Sequence, residues 1–412
     1  MTAFAFRIEA RLPGTPARAG VVVTPHGEVH TPAFMPVGTL ATVKGLTPDD
    51  LLDLGVEVVL ANTYHLYLRP GPDLVADLGG LHGFMAWPGP IVTDSGGYQV
   101  FSLGFALEHG VGKIAKMFPG EMAPPKQPVR RRLTRIDEDG VVFASHLDGS
   151  THRLTPEKSV EIQEKLGADV ILSFDECTSP LSPYEYTRQA LERTHRWAIR
   201  CLDAKRRPDQ ALFGVVQGGA FRDLREESAR FVGSLPFSGI AVGGSLGKTK
   251  ADMHQILEWT VPILPEDRPR HLLGIGEPED LFECVERGVD LFDCVTPTRL
   301  GRHGVLHTSE GRLSIRNSAF RADPRPPEPG CQCYTCRRFS LAYLRHLFVA
   351  EELLGYRLAT VHNLHFIVSL VRSIRQSLLD GAFPQLKAAF LARYRSESAG
   401  TEASYAAADE VA

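Results

Sequence analysis

The chain has 412 residues, 43% of them hydrophobic, and a formal net charge of −4 at pH 7. That composition suits a globular protein with a sizeable core, of one large α/β domain or two smaller ones, and excludes a uniformly basic nucleic-acid coat. The first residues, Met1-Thr2-Ala3-Phe4-Ala5-Phe6-Arg7, do not read as a secretory signal, and no apolar stretch approaches bilayer-spanning length, so the expectation is a cytoplasmic protein without a membrane partner.

Short apolar runs recur along the chain, and most end in a polar residue or glycine. Residues 56–61 lead into Asn62-Thr63-Tyr64-His65, and residues 91–93 lead into Asp94-Ser95-Gly96-Gly97. A proline-rich, basic stretch at about 104–135 reads as an insertion. Thr155-Pro156-Glu157 opens a helix over 156–166, with an N-cap followed by proline at the first helical position. Residues 170–174 then precede Asp175, a second helix covers 184–204, and residues 212–216 precede Gln217-Gly218-Gly219. The later runs 240–242, 272–275 and 289–292 precede Gly243-Gly244, Gly276-Glu277 and Asp293. Strand–helix alternation repeated this often predicts a parallel sheet, and about eight units close a TIM-type (β/α)8 barrel. The barrel is preferred to an open sheet because polar strand ends are spread over the whole chain. A helix is expected at 340–353, and the small, polar end at 396–412 reads as a disordered tail.

Three aspartates, Asp94, Asp175 and Asp293, stand at the carboxyl ends of strand-like runs. In a parallel α/β protein that is where ligands bind, so the set predicts an enzyme using carboxylates as acid, base and nucleophile. Glycines beside them let a backbone approach a flat polar ligand, although a plain turn explains any single pair.

Seven cysteines in a chain this long do not make a disulfide framework. Cys177, Cys201, Cys284 and Cys294 are scattered, whereas Cys331, Cys333 and Cys336 fall within one short loop. Three such thiolates suit tetrahedral Zn²⁺ closed by a histidine, with His346, His362 and His365 as candidates. Four protein ligands would leave no open position, so the site reads as structural. Two basic stretches stand out: Lys113, Lys116, Lys126, Arg130, Arg131, Arg132 and Arg135, and then Arg299, Arg302, Arg312, Arg316, Arg321 and Arg325. Taken alone, each reads first as a solvated surface.

Asp94-Ser95-Gly96-Gly97-Tyr98-Gln99, Ser145-His146-Leu147-Asp148-Gly149-Ser150, Phe174-Asp175-Glu176-Cys177, Val216-Gln217-Gly218, and Phe292-Asp293-Cys294 with Pro297-Thr298-Arg299 occur together with the Cys-x-Cys-x-x-Cys and histidine set. Jointly they resemble the bacterial tRNA-guanine transglycosylases, from about residue 4 to 375. The resemblance implies a single catalytic barrel over 1–375, with a zinc-binding subdomain at about 321–365. It implies exchange of guanine at the anticodon wobble position of GUN tRNAs for a 7-deazaguanine, preQ1 by default and queuine in salvage-type relatives. It assigns Asp293 as nucleophile and Asp94 as general acid/base. Asp175, Gln217, Gly244, Tyr98, Cys177, Leu273, Asn62 and Ser95 would surround the base or ribose, and Arg299 and Arg302 would hold flanking nucleotides. Cys331, Cys333, Cys336 and His362 would bind one structural zinc; a homodimer is implied, and no soluble cofactor.

Competing readings are weaker. A non-catalytic tRNA-binding subunit predicts eroded carboxylates, yet Asp94 and Asp293 stand in full motif context. An unrelated glycosidase or zinc hydrolase does not explain the cysteine-rich ligands, and the archaeal subclass would need RNA-binding domains after Arg375. Four departures from the family pattern are visible. The family's Gly-Gly-Leu-Ala-Val-Gly-Glu run is here Gly243-Gly244-Ser245-Leu246-Gly247-Lys248-Thr249, shorter and without the glutamate. Leu273 replaces a methionine, Glu277 replaces a lysine with an expected weakening of one RNA contact, and the stretch at 104–135 is long.

Overall fold

A computed structural model describes residues 4–101 and 134–394. Strands β1 (Ala5–Arg11), β2 (Arg18–Thr24) and β3 (Gly27–Thr31) form an antiparallel sheet. Strands β4 (Ala33–Gly38), β5 (Val59–Ala61) and β6 (Ile91–Thr93) begin the central sheet, and β7 (Thr134–Ile136), β8 (Val141–Ala144) and β9 (Thr151–Leu154) make a second antiparallel unit. Then follow β10 (Val170–Leu172), β11 (Ala211–Val216), β12 (Gly239–Val242), β13 (Arg270–Leu272) and β14 (Leu291–Cys294).

Strands β4, β5, β6 and β10 to β14 close into an eight-stranded barrel in chain order, with β14 pairing back to β4. Every pair is parallel. The expected barrel is therefore present. Its strands read as continuous apolar runs because both faces are covered: every residue of β4 and of β11 is buried. The lumen is packed with Met35, Leu60, Val92, Leu172, Phe213 and Ala241. Val22, Val29, Phe4 and Phe6 join the same cluster, and Phe4 meets Phe213 edge-on at 5.8 Å. The N-terminal sheet is thus a plug for the amino end of the barrel.

Two polar clamps hold that plug. Arg18 grips the Asp290 carboxylate through Nε at 2.9 Å and Nη2 at 2.6 Å, and both side chains are fully buried. Such a bidentate pair is specific in direction, and removing one partner would cost about 3–5 kcal/mol. At the other clamp, Asp169 receives His26 Nδ1 at 2.7 Å, His82 Nε2 at 3.2 Å and the Ile91 amide at 2.8 Å. Asp169, His26 and His82 resemble a metal site by residue type. However, the two rings stack 3.5 Å apart and 17° from parallel. Lone pairs in near-parallel planes do not converge on one ion at about 2.1 Å. The cluster is a hydrogen-bond clamp.

Burial pushes the Asp169 pKa up, but His82, His26 and the Ile91 amide outweigh it, and the net direction is down. A carboxyl with a depressed folded pKa adds stability above its unfolded value, about 3.9, and loses it as pH falls through the folded value. Asp169→Asn should therefore cost about 2 kcal/mol at neutral pH. In urea titrations at descending pH, the gap between the variant and the parent should close as pH falls below the unfolded value and through the depressed folded one. A pH-independent gap would contradict this.

The carboxyl side of the chain differs from expectation in one element. The helix expected over 340–353 ends at Val349, and a second helix runs Leu353–Leu379. Glu351 adopts φ 57°, a left-handed turn that lets Gly355 pack on the Leu347 side chain. His362 lies inside this second helix. The hairpin β15 (Val305–Thr308) and β16 (Gly311–Ser314) shares a separate small core with Leu341, Leu344, Phe348 and Leu358. A last helix, Phe383–Arg393, returns to the barrel layer through Phe390 against Phe282 at 5.0 Å.

Candidate active site

The carboxyl ends of β5, β6, β10, β11, β12, β13 and β14 bring the three aspartates together. Asp94 follows β6 and is held by three donors: Asn62 Nδ2 to Oδ2 at 2.6 Å, Gln99 Nε2 to Oδ2 at 2.7 Å and the Thr63 amide to Oδ1 at 2.8 Å. Burial is the largest influence on its carboxyl and pushes the pKa up; the three donors pull it down, and the charge on Asp293 pushes it up again. The net direction is up. A raised pKa makes this carboxyl readier to carry a proton than an ordinary aspartate, the direction a general acid needs.

Asp175 accepts Ser95 Oγ at 3.1 Å on one oxygen and Gln217 Nε2 at 2.5 Å on the other. Gln217 is buried, and among the described residues no donor reaches its Oε1. Gly244 sits directly over that amide with φ 74°, where a Cβ would lie 1.9 Å from Gln217 Oε1. Glycine is required there both by conformation and by space. Leu273 bounds the same region, its Cδ1 within 3.2 Å of where a Gly243 Cβ would stand.

Tyr98 lies partly buried on this face, just after the two glycines. Burial pushes its phenol up, the Cys177 thiol adds to this, and the Arg299 charge opposes it. Cys177 itself is buried. Arg299 therefore lies close enough to feel the pocket while being exposed to solvent.

Asp293 sits within β14 and not after it, so the strand end expected at residue 292 extends to Cys294. Its Oδ1 accepts His271 Nε2 at 2.8 Å and the Gly274 amide at 2.9 Å.

Sequence reasoning missed Arg225. This residue is 0% exposed in the helix Arg222–Ser234. Its guanidinium donates to four main-chain carbonyls: Gly219 O at 2.7 Å, Val216 O at 3.1 Å, Gly243 O at 3.1 Å and Ser245 O at 2.6 Å. Burial pulls its pKa down to about 10, with the Cys177 thiol opposing, so it remains a cation at neutral pH. It braces the loops after β11 and β12 from behind. On a helix of mixed charge it reads as one more solvated arginine.

The second basic stretch is divided by the structure. Arg312 donates to the buried Glu277 at 2.5 Å, Arg316 to Phe348 O, and Arg325 pairs with Asp323. Glu277 is thus a buried, internal partner of Arg312. Arg302 donates to Thr298 O within its own helix, Thr296–Arg302, and is half-buried. Of the first stretch, Lys113, Lys116, Lys126 and Arg130–Arg132 lie outside the described residues, as does the tail expected at 396–412.

The thiols of Cys331, Cys333 and Cys336 and a ring nitrogen of His362 all lie within 4.8 Å of one another. His362 Nε2 donates to His307 O at 2.7 Å, which leaves Nδ1 facing Cys336 Sγ at 3.3 Å and Cys333 Sγ at 3.6 Å. Three soft thiolates and one imidazole with its tautomer fixed fit a tetrahedral metal ion. His365 approaches Cys331 Sγ at 3.6 Å from outside this set, and His346 packs beside Tyr343. The neighbouring Asn363 was also missed. It donates to Pro297 O at 3.0 Å and Val305 O at 2.9 Å and accepts the His307 amide, tying the helix that carries His362 to the segment just after Asp293.

The chain was then compared with known proteins. The family model described as Queuine tRNA-ribosyltransferase matches residues 14–396. A putative queuine tRNA-ribosyltransferase of Archaeoglobus fulgidus is 55% identical over 388 residues, 91% of this chain and 96% of that protein. A queuine tRNA-ribosyltransferase of Roseiflexus sp. (strain RS-1) is 51% identical over 94% of this chain and 99% of its own length. One from Symbiobacterium thermophilum is 50% identical, covering 94% and 91%. With a family match across nearly its whole length and relatives at half identity, the chain belongs to the queuine tRNA-ribosyltransferase family, the tRNA-guanine transglycosylases.

Proposed function

We propose that the protein replaces guanine 34 in GUN anticodons, those of the aspartate, asparagine, histidine and tyrosine tRNAs, with the 7-deazaguanine preQ1, through a ribosyl ester on Asp293. The observation that carries this reading is a pair of carboxyls from different strands with unlike environments. Asp293 is held by two donors, and Asp94 has its pKa raised, partly by the charge on Asp293. Asp293 would attack C1′ as the C1′–N9 bond breaks, and protonated Asp94 would supply the proton to the departing guanine. The resulting Asp94 carboxylate would take the proton from N9 of the incoming base, which displaces Asp293 from C1′.

Asp175 would accept the donor edge of a guanine-like ring, with Gln217 and the Gly244 backbone at its carbonyl side. Tyr98 and Leu273 would cover the two faces, Ser95 and Asn62 would hold the carboxyls in place, and Cys177 would line the wall. Arg299 and Arg302 would meet flanking phosphates. Cys331, Cys333, Cys336 and His362 would hold one zinc, whose role is structural, and the enzyme would act as a homodimer.

The second reading, queuine as the incoming base, rests on the altered loop at 245–249. The Lys248 and Thr249 amides both donate to Asp252, at 2.7 and 2.9 Å, closing the altered loop as a helix cap. Asp252, the third residue of the helix Lys250–Thr260, is thus taken up by the cap, and the run 245–249 carries no glutamate.

The deciding experiment offers preQ1, queuine and guanine in parallel to guanine-34 tRNA bearing a GUN anticodon. Incorporation of preQ1 is the expected result. A preference for queuine would make residues 245–249 the determinant of selectivity, and no exchange with any base would sink the catalytic reading.

A further inference from the structure

His271 stands behind the proposed nucleophile. It occupies the middle of β13, next to β14 in parallel register, and is 1% exposed. Its Nε2 lies 2.8 Å from Asp293 Oδ1, the oxygen that also takes the Gly274 amide. Among the described residues, nothing hydrogen-bonds to its buried Nδ1.

These facts define the state of the ring. A carboxylate oxygen accepts, so Nε2 must carry the proton. A second proton on Nδ1 would bury an N–H with no acceptor, whereas a bare lone pair there is the lesser penalty. The ring is therefore a neutral, one-directional donor: it offers a hydrogen bond to Asp293 and does not relay a proton elsewhere.

We infer that His271 is a positioning residue that sets the balance between the free Asp293 carboxylate and its ribosyl ester. This inference rests on Asp293 being the nucleophile. A donor on Oδ1 is stronger toward a charged carboxylate than toward a neutral ester carbonyl. The ring therefore orients the carboxylate for attack and, once the Asp293–C1′ bond has formed, favours its breakage by the N9 lone pair of the incoming base. Electrons return to Asp293 as a carboxylate, held by the same two N–H groups. Without His271 the ester should form, persist and turn over slowly.

The test compares the full-length parent with His271→Phe, which keeps a ring and removes the donor, and His271→Gln, whose amide nitrogen reaches the place of Nε2. Guanine exchange gives kcat and KM, and denaturing gels with labelled tRNA give the fraction of covalent adduct. His271→Phe should lower kcat about tenfold to a hundredfold with KM for tRNA within about threefold, while the steady-state adduct rises; His271→Gln should restore both. A structural role would lower adduct and turnover together, without rescue by glutamine, and that result overturns the inference, as do unchanged values in His271→Phe. Should the phenylalanine variant not fold, ¹⁵N-histidine spectra of the parent decide: a buried imidazole protonated on Nε2 alone is required, and a cation or an Nδ1–H ring refutes it. Asp293→Asn is run alongside. Adduct at the parental level in that variant would overturn the nucleophile assignment itself, a failure distinct from that of His271.

Discussion

Replacing Asp293 by asparagine is expected to abolish exchange, with kcat reduced at least ~10⁴-fold and no covalent tRNA adduct. That loss corresponds to about 5.5 kcal/mol of transition-state stabilisation. The substitution is nearly isosteric, and its carbonyl oxygen can still accept the His271 and Gly274 N–H groups that hold Oδ1. What it removes is the charge and the nucleophilic oxygen. Binding of tRNA should therefore survive within about threefold, because the contacts proposed for Arg299 and Arg302 are untouched. Asp293→Ala gives the floor against which trace turnover is judged. Retention of more than about a hundredth of the parental rate would rule out a covalent role for this residue.

Loss of the metal is the second large effect. Cys336→Ala, or exhaustive chelation, should lower stability by at least ~3 kcal/mol and remove one equivalent of bound zinc per chain. The small core around Leu306, Ile315 and Phe348 has little apolar depth of its own, and the four ligands close it. The damage should not remain local. Asn363 follows the ligand His362 and holds Pro297 O and Val305 O, while Gly301 lies so near Thr360 that a Cβ would come within 2.9 Å of its backbone. Disorder in the metal-binding helix would loosen the segment after Asp293, so exchange should fall along with stability. Urea titration, metal analysis and the exchange assay on one sample check this. Full activity in metal-free protein would show that the two regions are uncoupled.

Much of the barrel was legible because buried parallel strands leave an unambiguous trace, short apolar runs that stop at polar residues. The cysteine cluster was legible because three thiols within six positions, Cys331 to Cys336, form a spacing that suits a metal ion better than a bridge. Other features left no such trace. His271 stands in the short strand Arg270–Leu272, where nothing in the order of residues separates a core histidine from one touching Asp293. Arg225 looks like any helix arginine until four carbonyls are found around it. The second basic stretch looked like one surface, but the pairing of Arg312 with Glu277, 35 residues away, is long-range information. The break at Glu351 depends on packing of Gly355 against Leu347, which local helix propensity does not report.

The Arg225 brace grips only peptide oxygens, and every residue type supplies one. It is therefore indifferent to what side chains the two loops carry. Ser245 contributes its carbonyl, and an alanine or leucine at that position would contribute the same atom. A position such as Ser245 can then change its side chain while the frame of the two loops stays in place, whereas Gly247, with φ 90° and a Cβ position 2.2 Å from Asp252, cannot. Loops built this way separate the right to vary from the need to hold shape.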